Sequence, residues 1–220
     1  MSIGVKKLLE AHGRPEREVY MDNENSGWVP PEVVEAMLPY FNLRGYGHPS
    51  ITNKPGWEAF EVLQETSELV ARTIGGDPED VHFTHSGTEA NNLAIVGAAL
   101  ANRDRGRKIV VSAVEHLSVI FPAESLEDAG FKVIRAPVDE EGFVDQDVLA
   151  ELVDRETVLV SVQTVNQEIG TIQRIRGLSE IVRDRNADVI FHTDACDAYG
   201  RVRLDVDAMG VDLLTLSSHK

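Results

Sequence analysis

Residues 213–220 read Leu-Leu-Thr-Leu-Ser-Ser-His-Lys and join an apolar run to a cluster of reactive side chains. Residues 213–217 are long enough for a buried strand, and hydroxyls, an imidazole and an amine follow at its C-terminal end. A lysine in a dry pocket loses its proton easily, and the neutral amine can form a Schiff base with an aldehyde. In an arbitrary protein a terminal lysine is more often a solvated charge, so the other strand ends must decide between the two interpretations.

Upstream of this stretch, short apolar runs alternate with segments of helical periodicity. Strands are predicted over residues 81–84, 108–112, 132–136, 157–162, 188–194 and 213–217. Helices are predicted over residues 57–74, 88–100, 120–129, 146–153, 176–185 and 206–209. Strands that alternate with helices of about ten residues are typical of an α/β domain with a mostly parallel sheet flanked by helices. Trp28 and Trp57 are assigned to the hydrophobic core.

Length and composition limit the possible functions. The 220 residues favour one large domain, here residues 19–220, preceded by a segment over residues 1–18. The 37 acidic and 21 basic residues give a net charge of -16, which argues against binding to nucleic acid or to an anionic membrane. The single cysteine, Cys196, favours a reducing compartment. No signal-peptide pattern and no apolar run of about 18 residues is present, so a cytoplasmic protein is expected.

Polar residues collect where the predicted strands end, which is where ligands bind in parallel α/β sheets. The turn Ser86-Gly87-Thr88-Glu89 opens directly into a predicted helix. Such a turn presents free backbone N–H groups, a hydroxyl and the positive end of the helix dipole, and it suits a phosphate. An ordinary helix N-cap without any ligand has the same sequence.

Two other strand ends carry polar side chains that admit two interpretations each. His116 could stack on a flat heteroaromatic ligand or pass protons, or it could be a hydrogen-bonded structural histidine. Asn166 follows the strand at 157–162 and could donate to a ligand oxygen, or it could form a turn. Neither residue decides the function alone.

The strand at 188–194 ends in an imidazole and a carboxylate. His192 and Asp194 are two residues apart, so their side chains point to the same face. A carboxylate buried there requires a cation, which a pyridinium N–H or a metal ion would supply. No second cluster with metal-ligand spacing follows, which disfavours a metal. Cys196 has no obvious activating neighbour and is interpreted as a packed residue rather than a nucleophile.

Considered together, the strand ends supply a phosphate site, an imidazole for stacking, a carboxylate and an amine. Pyridoxal 5'-phosphate (PLP) has the complementary phosphate, flat ring, pyridine nitrogen and aldehyde. PLP sites use a Schiff-base lysine and an acidic partner for the pyridinium. Lys220 and Asp194 fit these two positions, so the sequence predicts PLP as the cofactor.

Seven stretches, in order along the chain, resemble the cysteine desulfurases of the NifS/IscS type within the class V aminotransferases, and they are most similar to the archaeal branch. They are residues 22–23, 33–40, 83–92, 114–116, 166–171, 192–195 and 217–220. The resemblance implies the large domain of a PLP-dependent transferase of fold type I. It also implies that the chain is an N-terminal portion, truncated before the small C-terminal domain.

The resemblance also implies a role for each candidate site residue. Lys220 would bind the cofactor covalently and later move the Cα proton, and His116 would stack on the ring and assist. Asp194 would pair with the pyridine nitrogen, and Asn166 would lie near the ring oxygen. The phosphate would be held by Gly87, Thr88, Ser217 and His219.

In the family the substrate is L-cysteine. A mobile catalytic cysteine attacks its sulfur, L-alanine leaves, and an enzyme-bound persulfide remains. The sulfur then passes to an acceptor protein, such as an iron–sulfur scaffold or a tRNA-thiolation protein. Full-length members are expected to be homodimers.

The chain departs from the family pattern in three places. Asp197 occupies the usual position of a glutamine that donates to the ring oxygen, whereas a carboxylate can only accept. Residues 24–27 replace the family's Ala-Ala-Thr-Thr. The family continues past Lys220 with the catalytic-cysteine loop, and Cys196, beside Asp194, does not replace that cysteine. The 220 residues alone are therefore expected to be inactive.

Two alternatives stay open at this point. The first is another class V enzyme, such as a selenocysteine lyase or an aminotransferase. The second is a non-catalytic scaffold that pairs with a partner desulfurase chain. The cofactor-binding behaviour of Lys220 separates the enzymes from the scaffold.

Overall fold

The computed structural model describes residues 19–220 together with Lys7 and Arg17. The rest of the predicted segment over residues 1–18 lies outside the described residues. Among the helices that are described, none is both long and apolar enough to cross a lipid bilayer.

The centre of the fold is a five-stranded sheet in which every paired neighbour runs parallel. Its strands are β1 (Lys108–Ser112), β2 (Lys132–Ala136), β3 (Thr157–Ser161), β4 (Ile190–Asp194) and β5 (Leu213–Thr215). The spatial order is β2-β1-β3-β4-β5. Asp194 is opposite Thr215 at the end of the β4–β5 ladder, so the C-terminal ends of these strands lie side by side.

Helices connect the strands and precede them. They are α1 (Pro31–Met37), α2 (Pro39–Asn42), α3 (Lys54–Ile74), α4 (Gly87–Ala101), α5 (Leu117–Ser125), α6 (Gln146–Leu152), α7 (Ile175–Arg185) and α8 (Val206–Met209). Short 3-10 turns cover Pro78–Asp80 and Leu126–Ala129. The long helix α3 begins where the Asn53 side chain accepts a hydrogen bond from Gly56 N, and it ends at Gly75 with φ of 68°. A positive φ of this size favours glycine at the end of a helix.

Both faces of the sheet are covered, as parallel strands require. On one face, Val110 packs in a cluster with Leu149 of α6 and Leu178 of α7. On the other face, Ile109 packs with Ile95 of α4. Adjacent residues of β1 therefore enter opposite clusters, and the predicted α/β class with a parallel sheet flanked by helices is confirmed.

The predicted strand at 81–84 is wrong. These residues are extended but pair with no strand in the part of the chain that the structure describes. Val81 and Phe83 instead line a cavity of about 420 Å³, together with Leu214 and Leu216 of the β5 region. Because a strand needs a partner for its N–H and C=O groups, high β propensity alone does not make this segment a strand.

The assignment of two tryptophans to the core is also wrong. Trp28 is 70% exposed and Trp57 is 63% exposed. Both belong to residues 19–74, a region that includes α1, α2 and α3 and carries many other exposed large apolar side chains. Apolar side chains are buried where an element packs against them, and the sheet does not cover these two residues.

Candidate cofactor site

The structure brings the sequence-predicted site residues to the C-terminal edge of the sheet. Gly87 lies beside Ser217, Asp194 is the last residue of β4, and Lys220 follows β5. His116 precedes α5 and Asn166 follows β3. The side chains that the sequence placed at separate strand ends thus share one edge.

The turn before α4 is an anion-binding geometry, which we call the anion loop (residues 86–88). Ser86 caps the helix, since its Oγ accepts a hydrogen bond from Glu89 N at 3.1 Å. In the described part of the chain, the N–H groups of Gly87 and Thr88 find no partner. Free N–H groups at the positive end of a helix favour a bound anion.

Gly87 has no room for a side chain. A Cβ built on it would lie 2.7 Å from Cys196 Sγ and 3.8 Å from Ser217 Oγ. Ser217 Oγ is in turn 2.9 Å from His219 Nδ1, and His219 is exposed. A hydroxyl and an imidazole therefore accompany the free N–H groups of the anion loop, and this donor set suits a phosphate.

Asp194 is a buried carboxylate with a neutral environment. Its Oδ1 accepts from Cys196 N at 2.9 Å, and its Oδ2 accepts from Asn91 Nδ2 at 2.7 Å. Within residues 19–220, no ion pair involves Asp194. Burial of an unpaired carboxylate is costly, and a ligand cation such as a pyridinium N–H would offset that cost.

His116 caps α5 and is held by Ser118. Its Nδ1 accepts from Ser118 N at 3.1 Å and lies 2.7 Å from Ser118 Oγ. The residue itself is exposed. The ring is therefore fixed along one edge and remains accessible to a flat ligand. The cap also explains why α5 begins at Leu117, whereas the apolar pattern of the sequence predicted a helix that begins at residue 120.

The amide of Asn166 is engaged by backbone groups. Its Nδ2 donates to Val114 O at 3.0 Å, and its Oδ1 accepts from Glu168 N and Ile169 N. These bonds build the turn after β3. One amide hydrogen is left for a ligand, so the geometry accommodates both interpretations of Asn166.

Lys220 forms an ion pair with Asp197. Lys220 Nζ is 2.8 Å from Asp197 Oδ2, and both side chains are mostly buried. Arg201 donates a hydrogen bond to the backbone oxygen of Lys220. Asp197 thus lies next to the amine that the sequence predicts to form the Schiff base with the PLP aldehyde.

Two other titratable residues near the site are structural. His192 is fully buried between Ser161 Oγ, 2.8 Å from its Nδ1, and Thr215 Oγ1, 3.1 Å from its Nε2. Burial lowers the pKa of His192 to about 4, so it is neutral at physiological pH. Burial raises the pKa of the Cys196 thiol far above its usual range, and this confirms the interpretation of Cys196 as a packed residue.

Sequence reasoning missed three buried polar residues, Asn91, Ser118 and Glu115. The first two join Asp194 through hydrogen bonds, and we call Asn91, Ser118 and Asp194 the buried network. Asn91 was detectable, because it lies four and eight residues before the buried Ile95 and Ala99 on α4. A polar residue on the buried face of a helix needs a partner, and that signal was available.

Glu115 is the third missed residue. Its Oε1 accepts from Ser112 Oγ at 2.5 Å and from Gln163 N at 2.7 Å, whereas its Oε2 is buried with no partner among the described residues. Burial, with a smaller contribution from the nearby Asp194, raises the pKa of Glu115 to about 8, although its hydrogen bonds to Ser112 and Gln163 oppose the shift. At neutral pH this side chain is predominantly a neutral acid.

The described residues contain no group of three or more His, Cys, Asp or Glu side chains placed to hold a metal ion. The site does contain the parts that PLP requires. The anion loop has free N–H groups and no space for a Cβ, the buried carboxylate of Asp194 lacks a cation, and an amine lies at Lys220.

Comparison with known proteins identifies the class. The family model for class V aminotransferases matches residues 19–220, so the chain belongs to that family. Class V aminotransferases are PLP enzymes, and the predicted fold type and cofactor class are confirmed by this membership.

The more particular likeness is to cysteine desulfurases. The chain is 42% identical over 204 residues to the cysteine desulfurase IscS of Dictyoglomus turgidum, covering 93% of this chain and 51% of that protein. It is 42% identical over 200 residues to the cysteine desulfurase IscS 1 of Archaeoglobus fulgidus, covering 91% and 51%. The chain therefore spans about half the length of these curated relatives.

Solved structures agree. A NifS-like protein superposes with a TM-score of 0.89 at 32% identity, covering 92% of this chain and 56% of that one. The apo cysteine desulfurase from Thermococcus onnurineus NA1 superposes with a TM-score of 0.82 at 30% identity, covering 92% and 50%. The predicted resemblance to the NifS/IscS type is confirmed.

Proposed function

We propose that this chain forms the PLP-binding large domain of a cysteine desulfurase, comprising residues 19–220. The single observation that carries the proposal is the convergence at one sheet edge of an amine, an unpaired buried carboxylate and an anion loop. These are the Lys220 amine, the Asp194 carboxylate and the free N–H groups of residues 87 and 88. The IscS relatives support the choice of reaction, in which L-cysteine gives L-alanine and an enzyme-bound persulfide.

Each residue has a defined task in this proposal. Gly87, Thr88, Ser217 and His219 hold the phosphate, and Asp194 holds the pyridine nitrogen in its protonated state. The bound cofactor supplies an electron sink for the pair of electrons left at the substrate Cα. Lys220 would hold the aldehyde group of the cofactor and would move the Cα proton, while the accessible ring of His116 would cover one face of the ligand.

Asp197 gives Lys220 a resting position. In the ion pair the ammonium is held 2.8 Å from the carboxylate. A neutral amine would be needed to bond to the aldehyde group, so Lys220 would have to pass its proton to the adjacent Asp197 carboxylate or to water. Asp197 then lies where the family places a donor to the ring oxygen, and we propose that a water molecule or a protonated carboxyl serves there.

We further propose that the 220 residues do not complete the reaction. The sulfur must be received by an accessible thiolate, and the only cysteine of the chain, Cys196, is buried against Gly87. Its raised pKa removes the thiolate. Incubation of the purified chain with PLP and L-cysteine should release neither alanine nor sulfide, and release of either would contradict this part.

Partners and compartment follow from the same likeness. We propose L-cysteine as the substrate, a sulfur-acceptor protein of iron–sulfur assembly or tRNA thiolation as the partner, and a homodimer for the full-length enzyme. The exposed apolar side chains of residues 19–74 support a covered surface there. We propose the cytoplasm as the compartment on the basis of the single cysteine, although a relative from Drosophila melanogaster is named mitochondrial.

The test is covalent labelling. The chain is loaded with PLP, reduced with borohydride and digested, and the modified peptide is identified by mass spectrometry. The label should be on Lys220, and Lys220→Ala should abolish both the label and the visible absorbance of the lysine-bound cofactor. Lys54→Ala is the matched control, because Lys54 is an exposed lysine on α3.

Labelling of Lys54→Ala should equal that of the unmodified chain. A chain that binds no PLP at any concentration, or that is labelled at other lysines only, would contradict the proposal. The first of these results would favour a non-catalytic scaffold that pairs with a desulfurase.

A further inference from the structure

Asn91 links Asp194 to Ser118, and Ser118 in turn contacts His116. Asn91 lies on α4, is 1% exposed, and uses its amide nitrogen twice. Nδ2 is 2.7 Å from Asp194 Oδ2 and 2.8 Å from Ser118 Oγ. Because a primary amide nitrogen has two hydrogens, both are used, and Asn91 bridges the carboxylate and the hydroxyl.

The orientation of this amide follows from its partners. An ionised carboxylate can only accept, so the Asn91 atom that faces Asp194 must be the NH2 group. The opposite orientation would place Oδ1 against Oδ2 of Asp194. In the adopted orientation Oδ1 is buried and has no partner among the described residues. The amide keeps this arrangement because its two donated bonds, one of them to a charged group, stabilise it.

Ser118 connects Asn91 to His116 through two contacts with the imidazole ring. Its backbone N–H donates to His116 Nδ1 at 3.1 Å, and its Oγ lies 2.7 Å from the same nitrogen. Since Oγ already accepts from Asn91, its own hydrogen is free to point at Nδ1. A backbone N–H can only donate, so Nδ1 must carry a lone pair, and a neutral imidazole must then carry its proton on Nε2.

We propose that Asn91 is a positioning residue that holds the Asp194 carboxylate and, through the Ser118 hydroxyl, fixes His116 in the tautomer with its proton on Nε2. Asp194 and His116 are thereby aligned by one amide before any ligand arrives. The functional meaning of this alignment rests on the proposed function, but the tautomer itself is a property of the chain without cofactor.

The first measurement is nitrogen NMR on the cofactor-free chain labelled with 15N-histidine, and His116→Gln identifies the His116 signals. His116 should show a protonated Nε2 and an unprotonated, hydrogen-bonded Nδ1. A proton found on Nδ1 of neutral His116 would overturn the proposal, and this result needs no destabilised variant.

The second measurement separates positioning from mere structural support. Ser118→Ala removes the hydroxyl and should move the Nδ1 resonance toward that of a weaker acceptor. Asn91→Leu should move it in the same direction by a smaller amount, because the Ser118 hydroxyl loses the donor that orients it. The double variant should match Ser118→Ala alone, since the two changes act along one path.

Asn102→Ala is the control, because Asn102 lies at the other end of α4 and bonds only to its own helix and Arg105. It should leave the His116 signals unchanged. Additive shifts in the double variant, or no shift in Asn91→Leu, would contradict the bridging role. If Asn91→Leu fails to fold, Asn91→Asp replaces it, and it should disturb His116 as well by placing a carboxylate against Asp194.

A third measurement connects the network to the cofactor. In Asn91→Leu the dissociation constant for PLP should rise about tenfold or more, as expected for loss of a hydrogen bond to a charged group. An unchanged constant would contradict the role at Asp194. A chain that does not bind PLP in any form would contradict the proposed function, while the tautomer measurement would still decide the role of Asn91.

Discussion

The two halves of the candidate site differ in how far the chain itself completes them. In the buried network, Asn91 donates hydrogen bonds to both Ser118 and Asp194, and each of the three residues is less than a tenth exposed. In the anion loop, Thr88 is exposed and its N–H has no partner within the described residues. The ring side of the site is therefore organised by folding, whereas the phosphate side depends on a ligand.

The difference has a physical origin. The buried network lies between α4, α5 and the end of β4, where water is excluded and an unmet polar group costs free energy. The anion loop is at a helix N-terminus, where N–H groups have no partner within the helix and are left to water or a ligand. Variants of the buried network and of the anion loop should therefore differ in their effects on stability and on PLP binding.

The largest expected effect concerns Glu115, the buried acid next to Asp194. Burial raises its pKa to about 8 in the folded protein, from an ordinary value of 4.5. Between these pH values the folded protein keeps a proton that the unfolded chain releases, so the free energy of unfolding should fall as the pH rises. The loss should be on the order of a few kcal/mol, given about 1.36 kcal/mol per pKa unit.

Urea denaturation across this pH range measures the slope. Glu115→Gln, which resembles the protonated acid, should remove most of it. Glu140→Gln, which changes an exposed carboxyl, should retain it. A Glu115→Gln slope equal to that of the unmodified chain would show that the buried side of the site does not hold this proton.

The next effect concerns the charge of Asp194. Asp194→Asn keeps the size of the side chain but removes the partner for a pyridinium. Titration with PLP should show a dissociation constant about 10-fold to 100-fold higher, which corresponds to about 1.5–3 kcal/mol for a charged hydrogen bond. The control Asp188→Asn changes a carboxyl that is 82% exposed just before β4, and it should bind PLP normally. Equal affinities of the two variants for PLP would show that the Asp194 carboxylate does not contribute to cofactor binding.

A smaller effect is expected from filling the anion loop. In Gly87→Ala the new Cβ would meet Cys196 Sγ at 2.7 Å, and overpacking of this kind costs about 1–3 kcal/mol of unfolding free energy. Thermal or urea denaturation would measure the loss. Adding Cys196→Ala removes the sulfur and should restore much of the stability. If the double variant is no more stable than Gly87→Ala, the contact with Cys196 is not the cause.

The sequence predicted the sheet better than the region before it. The apolar runs of β1, β3 and β4 are buried on both faces, so their composition alone identifies them. Residues 81–84 are also rich in β-branched and aromatic side chains, but they line a cavity and pair with no strand among the described residues, and local composition does not contain that information. The assignment of Trp28 and Trp57 to the core was wrong for a similar reason, since burial depends on what packs against a residue.

The site was partly predictable for a related reason. Residues at strand ends, such as Asp194 and Lys220, were found because parallel strands deliver their ends to one edge. The sequence contained a signal for Asn91, a polar residue on the buried face of α4, but its partners Ser118 and Asp194 are distant in the sequence and only the structure identifies them. The engaged amide of Asn166 and the ion pair of Asp197 with Lys220 likewise required the three-dimensional structure.

A crystal structure of the chain with bound PLP would show directly whether the strand ends form one cofactor site. It should show a covalent bond to Lys220, the pyridine nitrogen within hydrogen-bond distance of Asp194, and the phosphate on the N–H groups of Gly87 and Thr88. The hydrogen bonds of Asn91 to Asp194 and Ser118 should be unchanged. A cofactor attached to another residue, or a buried network that rearranges to admit the ring, would show that these residues do not form the cofactor site.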